Sequence, residues 1–136
     1  MNVLVVEPRM APYEKEINGL LKEMQAIVGG RIATTDLPQE GAVIVRNDES
    51  ICLGMEFNRK IDDKRGGVFG TFFICGNSGD DFCSLTPDQM DYFKKRFHQA
   101  EVLLAVNNGR PVIAKIDPLK PPGQEPPKRP PKTPGR

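Results

Sequence analysis

The sequence predicts an α+β fold: a small, mainly antiparallel sheet with two helices, followed by a disordered proline-rich C-terminal tail. Three observations carry that expectation. Short runs rich in Val, Ile and Phe are separated by turn-forming residues. Two other segments place apolar side chains on one face at helical spacing. From Asp117 onward the composition changes abruptly to proline and basic residues. A chain of 136 residues has room for one domain, expected over residues 1–116, with residues 117–136 as a basic tail.

Asn2 to Glu7 is rich in Val and Leu and stops at Pro8, which reads as a buried strand. After the turn-like Pro8-Arg9-Met10-Ala11-Pro12, Tyr13 to Ile17 returns as an antiparallel edge strand whose charges suit water. Leu20, Leu21, Met24, Ile27 and Val28 then share a helical face, with Asn18 as the expected cap and Gly29-Gly30 as the stop. Arg31 to Thr35 and Ala42 to Val45 are β-prone and flank the turn-forming Leu37-Pro38-Gln39-Glu40-Gly41. Asn47-Asp48-Glu49-Ser50 is expected as a hairpin turn into Ile51-Cys52-Leu53. Gly54 to Gly67 loses periodicity and becomes charged, which predicts a long surface loop. Val68 to Cys75 restores an apolar, aromatic strand whose lack of alternation implies burial on both faces or a central place in the sheet.

The second helix has the clearest local grammar. Thr86 followed by Gln89 matches a capping box, Pro87 takes the first helical position, and Leu85 and Met90 are spaced as a hydrophobic staple. Met90, Phe93 and Phe97 form the expected buried stripe, while Lys94, Lys95 and Arg96 suit the negative end of the helix dipole. Beyond Phe97 two continuations compete. Ala100 and Leu104 extend the stripe toward a Gly109 cap, whereas Val102 to Val106, Asn107-Asn108-Gly109-Arg110 and Val112 to Ile116 make a hairpin. The hairpin is favoured because its second arm is β-prone and needs a partner.

Charge excludes two function classes. With 19 basic and 18 acidic residues the net charge is +1, neither the dense acidity of a DNA mimic nor the basic excess of a nonspecific nucleic-acid binder. The tail carries +3 and leaves about −2 elsewhere, so any DNA contact is expected through the tail alone. Its P-x-x-P spacings read as a spacer or solubilising segment. The apolar run at the N-terminus is too short for a signal peptide and no segment approaches a membrane span, so a cytoplasmic location is expected. Cys52, Cys75 and Cys83 fit a reducing compartment and read as small buried apolar residues.

No reaction is legible. Neither the cysteines nor the lone His98 falls at zinc-ligand spacing, and no nucleophile has a plausible base, so no cofactor, metal or catalytic residue is expected. The acidic pairs Asp48-Glu49, Asp62-Asp63 and Asp80-Asp81 read as turn chemistry. The candidate contact residues are of two groups. Asn58, Arg59 and Lys60 bring an amide and two cations to an irregular segment, able to meet a ligand phosphate or an acidic partner, or to fasten the loop by an internal salt bridge. Asn77, Ser78 and Asp81 lie in the Gly76 to Asp81 loop, which lacks a P-loop lysine and reads first as a tight turn.

Met1-Asn2-Val3-Leu4-Val5-Val6-Glu7-Pro8, Leu21 to Gly30, Asn58-Arg59, Gly70-Thr71-Phe72-Phe73-Ile74-Cys75-Gly76 and Asp81-Phe82-Cys83-Ser84-Leu85-Thr86 occur in this order. In that order they resemble a small domain family of unknown function, found in phages, plasmids and conjugative elements of Gram-positive bacteria. The resemblance covers about residues 1–97 and leaves out the tail. It implies a noncatalytic binding module that engages a host or phage protein, with host defence as one target. A nucleotide-like small-molecule binder and a DNA-associated accessory protein are the alternatives.

Overall fold

The structure, a computed structural model, describes residues 1–120. Its elements run in the order β1 (Asn2–Val6), β2 (Tyr13–Glu16), α1 (Leu21–Val28), β3 (Ile32–Leu37), β4 (Ala42–Asn47), β5 (Phe57–Asp62), β6 (Gly66–Phe69), β7 (Phe72–Asn77), β8 (Phe82–Cys83), α2 (Pro87–Arg96), β9 (Ala100–Asn107) and β10 (Arg110–Ile116), with one 3-10 turn at Pro38–Glu40. The α+β class holds. The main sheet has the order β2-β1-β7-β4-β3, with β8 paired to the end of β7, and every pairing is antiparallel. β5–β6 and β9–β10 are separate two-stranded hairpins.

Alternation along the central strands builds two cores. Val3, Val5, Val43, Val45, Phe73 and Cys75 pack with Met24 and Val28 of α1. Leu4, Val6, Ile44, Phe72 and Ile74 pack with Met90 and Phe93 of α2, with Phe97, and with Ile61 and Val68 of the β5–β6 hairpin. This explains why Phe72 to Cys75 does not alternate in polarity: β7 is central and covered on both sides. Each fully buried Val, Leu, Ile or Phe contributes about 1.5–3 kcal/mol relative to exposure.

Local signals place the helices on these faces. Thr86 Oγ1 accepts from the Gln89 amide at 3.1 Å while Gln89 Oε1 accepts from the Thr86 amide at 2.9 Å, so the capping box forms, and Leu85 and Met90 are both buried. α1 ends where Gly29 adopts a left-handed φ of 83° and donates to Gln25 O. Its start differs from expectation: Leu20 is the cap residue, and Asn18 Oδ1 instead accepts from the Leu20 amide in a preceding Asx turn. Leu20 and Leu21 are exposed, so the buried face of α1 narrows to Met24 and Val28 with Ile27 beside them. The hairpin reading of the chain after Phe97 is borne out. Asn108 and Gly109 both have positive φ, 52° and 77°, as a two-residue type I′ turn requires.

Four expectations need correction. Ile51-Cys52-Leu53 is not a strand: Leu53 donates to Glu49 O and Gly54 to Ile51 O, coiling residues 48–54 into consecutive turns that leave all three side chains exposed. Cys52 is therefore not a buried apolar residue. The Gly54 to Gly67 loop contains the strand β5 and the start of β6, because Phe57, Ile61 and Val68 find burial against the α2-side core. Val68 to Cys75 is two strands, broken where Gly70 takes a φ of 81°. Of the tail, residues 117–120 are described: Leu119 donates to Arg9 O and accepts from the Ala11 amide, each at 2.9 Å. The disorder expected beyond Lys120 lies outside the described residues.

Candidate functional site

Asn58 and Arg59 sit inside the molecule, 0% and 1% exposed. Asn58 Nδ2 donates to Val6 O at 2.8 Å and Gly70 O at 2.9 Å, tying the end of β1 to the β6–β7 bend. The Arg59 guanidinium donates to Phe97 O through Nε at 3.1 Å and Nη2 at 2.9 Å, to Met10 O at 2.6 Å, and to Asn58 Oδ1 at 2.9 Å. Phe97 O lies at the C-terminal end of α2, where the helix dipole is negative and a fixed cation is favourable. Among the described residues Arg59 makes no ion pair; backbone carbonyls, not a carboxylate, receive it. Burial pulls Arg59 down to about 10, partly offset by the Glu101 charge, so the guanidinium stays protonated at neutral pH.

Lys60, the third residue of that group, is half-exposed and pairs with Asp63. Its backbone amide donates to Glu101 Oε1 at 2.8 Å, so a β9 side chain stands where a neighbouring strand would bond β5. Between the hairpins runs an open groove of about 590 Å³, lined in part by Lys60, Asp62, Asp63, Glu101, Ile113 and Lys115. The Arg65 amide holds Asp62 below the usual carboxylate range, and the Lys60 ammonium does the same for Asp63.

Asn77, Ser78 and Asp81 form an exposed turn at the far end of β7. Asn77 Oδ1 accepts from the Gly79 amide at 2.9 Å, and Ser78 donates to Asp81 O at 3.0 Å through both its amide and its hydroxyl. Asp81 also lines an open cleft of about 580 Å³ with Asp80, Asn18, Met1 and Met24. Asn58 bonds Gly70, just before β7, whereas Asn77 ends it, a strand length of about 20 Å apart. The two groups of candidate residues therefore do not converge on one site.

The thiols are placed in three different settings. Cys75 is buried, and desolvation followed by the nearby Cys83 pushes its thiol up to about 12, leaving almost no thiolate at neutral pH. His98, on the surface just past α2, does not share that interior. Among the described residues no three His, Cys, Asp or Glu side chains gather as a metal-ligand set, and no helix is long and apolar enough to cross a membrane.

The sequence reading passed over Leu104, Val106 and Val112 as contacts; they are 65%, 64% and 41% exposed on the β9–β10 hairpin. Its predicted turn was the available signal, since a two-stranded hairpin cannot bury both its faces. The sequence model of the family DUF3846, a domain of unknown function, matches residues 1–98. The chain belongs to that family. No curated protein and no solved structure matches the chain. The DUF3846 residues supply the main sheet, both helices and the β5–β6 hairpin, while β9–β10 follows them.

Proposed function

We propose that this DUF3846 chain is a noncatalytic binding module of a phage or mobile genetic element, which engages a host or phage protein through its β9–β10 hairpin and the adjoining groove. One observation carries the reading. Leu104, Val106 and Val112 stand in water on a hairpin that follows the family domain, although burying such side chains is the main stabilising term in folding and in association. The groove where the same hairpin meets β5 mixes cations and carboxylates with Ile61 and Ile113, a polar surface with an apolar centre. A host-defence protein is one such partner, an inference from the kind of element that carries the family and not from any residue.

Less supports the alternatives. A nucleotide-like ligand needs a cation free to meet phosphate, and the Arg59 donors are taken by internal carbonyls. DNA association through the tail rests on residues outside those described. Affinity capture from host lysate with the full chain should recover one specific protein. Leu104→Asp combined with Val106→Asp should lose that protein while the thermal melt is unchanged. Equal recovery by the variant, or recovery of a small molecule with no protein, would overturn the reading.

A further inference from the structure

The open strand edges of this molecule are not alike. β2 presents Glu14, Lys15 and Glu16 to solvent, and β10 carries Pro111, a bulge at Val112/Ile113, and Lys115. Charge, proline and bulges are the devices by which natural sheets prevent strand addition. β3, the other outer strand of the main sheet, has none of them from Ile32 through Thr35.

Which backbone groups β3 offers follows from its register. Asp48 donates to Arg31 O at 2.8 Å, so residues 31 and 48 form a hydrogen-bonded pair, and the alternation turns Ala33, Thr35 and Leu37 toward β4. Ile32, Thr34 and Asp36 then direct their amides and carbonyls outward. Arg65 Nε, bonded to Asp36 O at 3.1 Å, confirms that direction. No other side chain among the described residues bonds these outward groups.

We propose that β3 is a self-pairing edge, joining antiparallel about a twofold axis to β3 of a second copy, with Thr34 opposite its own counterpart. Of the registers that bring outward groups face to face, only this one engages all three residues of each copy, Asp36 through its amide because its carbonyl already holds Arg65. It sets Ile32 opposite the other copy's Asp36 and opposes no like charges, and Thr–Thr is a favourable cross-strand pair. The closed twofold arrangement leaves neither β3 edge free to recruit a third chain. A six-residue contact is small, so the association is weak and concentration-dependent.

The test uses the full chain in sedimentation velocity up to about 100 µM, a range suited to interfaces of this size. Wild type should move from monomer toward dimer. Thr34→Lys and Thr34→Glu, both at an exposed position, should each weaken association about 3- to 10-fold through like charges at the axis, and an equimolar mixture should regain it. A wild type that stays monomeric overturns the proposal, as do variants that associate like wild type or a mixture that fails to recover. A result of either kind leaves the hairpin reading untouched, because its test reads a different surface.

Discussion

Replacing Arg59 by Met tests what the buried guanidinium does. Met refills much of the stem volume, so the cavity cost is small, but Phe97 O, Met10 O and Asn58 Oδ1 lose their donors. Each buried acceptor left alone costs about 1–3 kcal/mol. Against this, removing the charge recovers its desolvation: Arg59 falls from 12.5 to about 10, and a shift of that size is worth about 3 kcal/mol. The acceptors win, and a net loss of about 3 kcal/mol is expected, a large share of the 5–15 kcal/mol that holds a small domain together. The assay is urea denaturation, read as a lower midpoint at unchanged slope. Arg59→Lys decides between mechanisms. It keeps the charge but cannot reproduce the fork that bonds Phe97 O twice, so it should be destabilised about as much as the Met variant. A Met variant within about 0.5 kcal/mol of wild type, the scatter of ordinary surface substitutions, would refute the reasoning. A Lys variant of full stability would show that charge and not geometry matters.

Two further perturbations follow from the same structure. A Cβ on Gly76 would stand 2.7 Å from Ser84 O and 2.8 Å from Cys83 Sγ, so Gly76→Ala should cost about 1–3 kcal/mol by thermal melt and expose the β8 amides to faster hydrogen exchange. Cys75 titrates near 9 when unfolded and is pushed up to about 12 when folded. The folded state therefore holds its proton longer, and its stabilising effect is complete below about pH 9 and lost as pH rises toward 12. The loss reaches about 1.4 kcal/mol at pH 10 and should be absent from Cys75→Ala compared with its own value at pH 7.

What the sequence disclosed is what short-range physics decides. Thr86-Pro87-Asp88-Gln89 specifies a helix start by itself, and Asn108-Gly109 specifies a turn whose positive φ values few other pairs adopt. β5 was illegible for the opposite reason. Asn58-Arg59-Lys60 reads as solvated polarity, and its burial depends on carbonyls at Met10 and Phe97, 49 and 38 residues away. Ile51-Cys52-Leu53 misled in the other direction: three apolar residues promise a strand, yet the turn-formers before them and Gly54 after them coil the segment. Local composition cannot show whether distant backbone will receive a side chain. On that account Asn58 and Arg59 read as loop residues open to a ligand, whereas both are buried.

The hydrogen bonds of Asn58 and Arg59 also reach toward the proposed contact surface. Arg59 grips Phe97 O, and β9 begins at Ala100, only a few residues farther on. On the neighbouring residue, the Lys60 amide bonds Glu101 of β9. Two adjacent residues of β5 thus tie down both the end of α2 and the start of the β9–β10 hairpin. Asn58 completes the path by tying the same strand to Val6 and Gly70 of the main-sheet scaffold. Under the proposed function, residues that resembled a ligand-binding pair would therefore act on recognition only indirectly. In the proposed contact, their hydrogen bonds would hold the hairpin that carries Leu104 and Val106, and a hairpin held in place loses less conformational freedom on binding than a loose one.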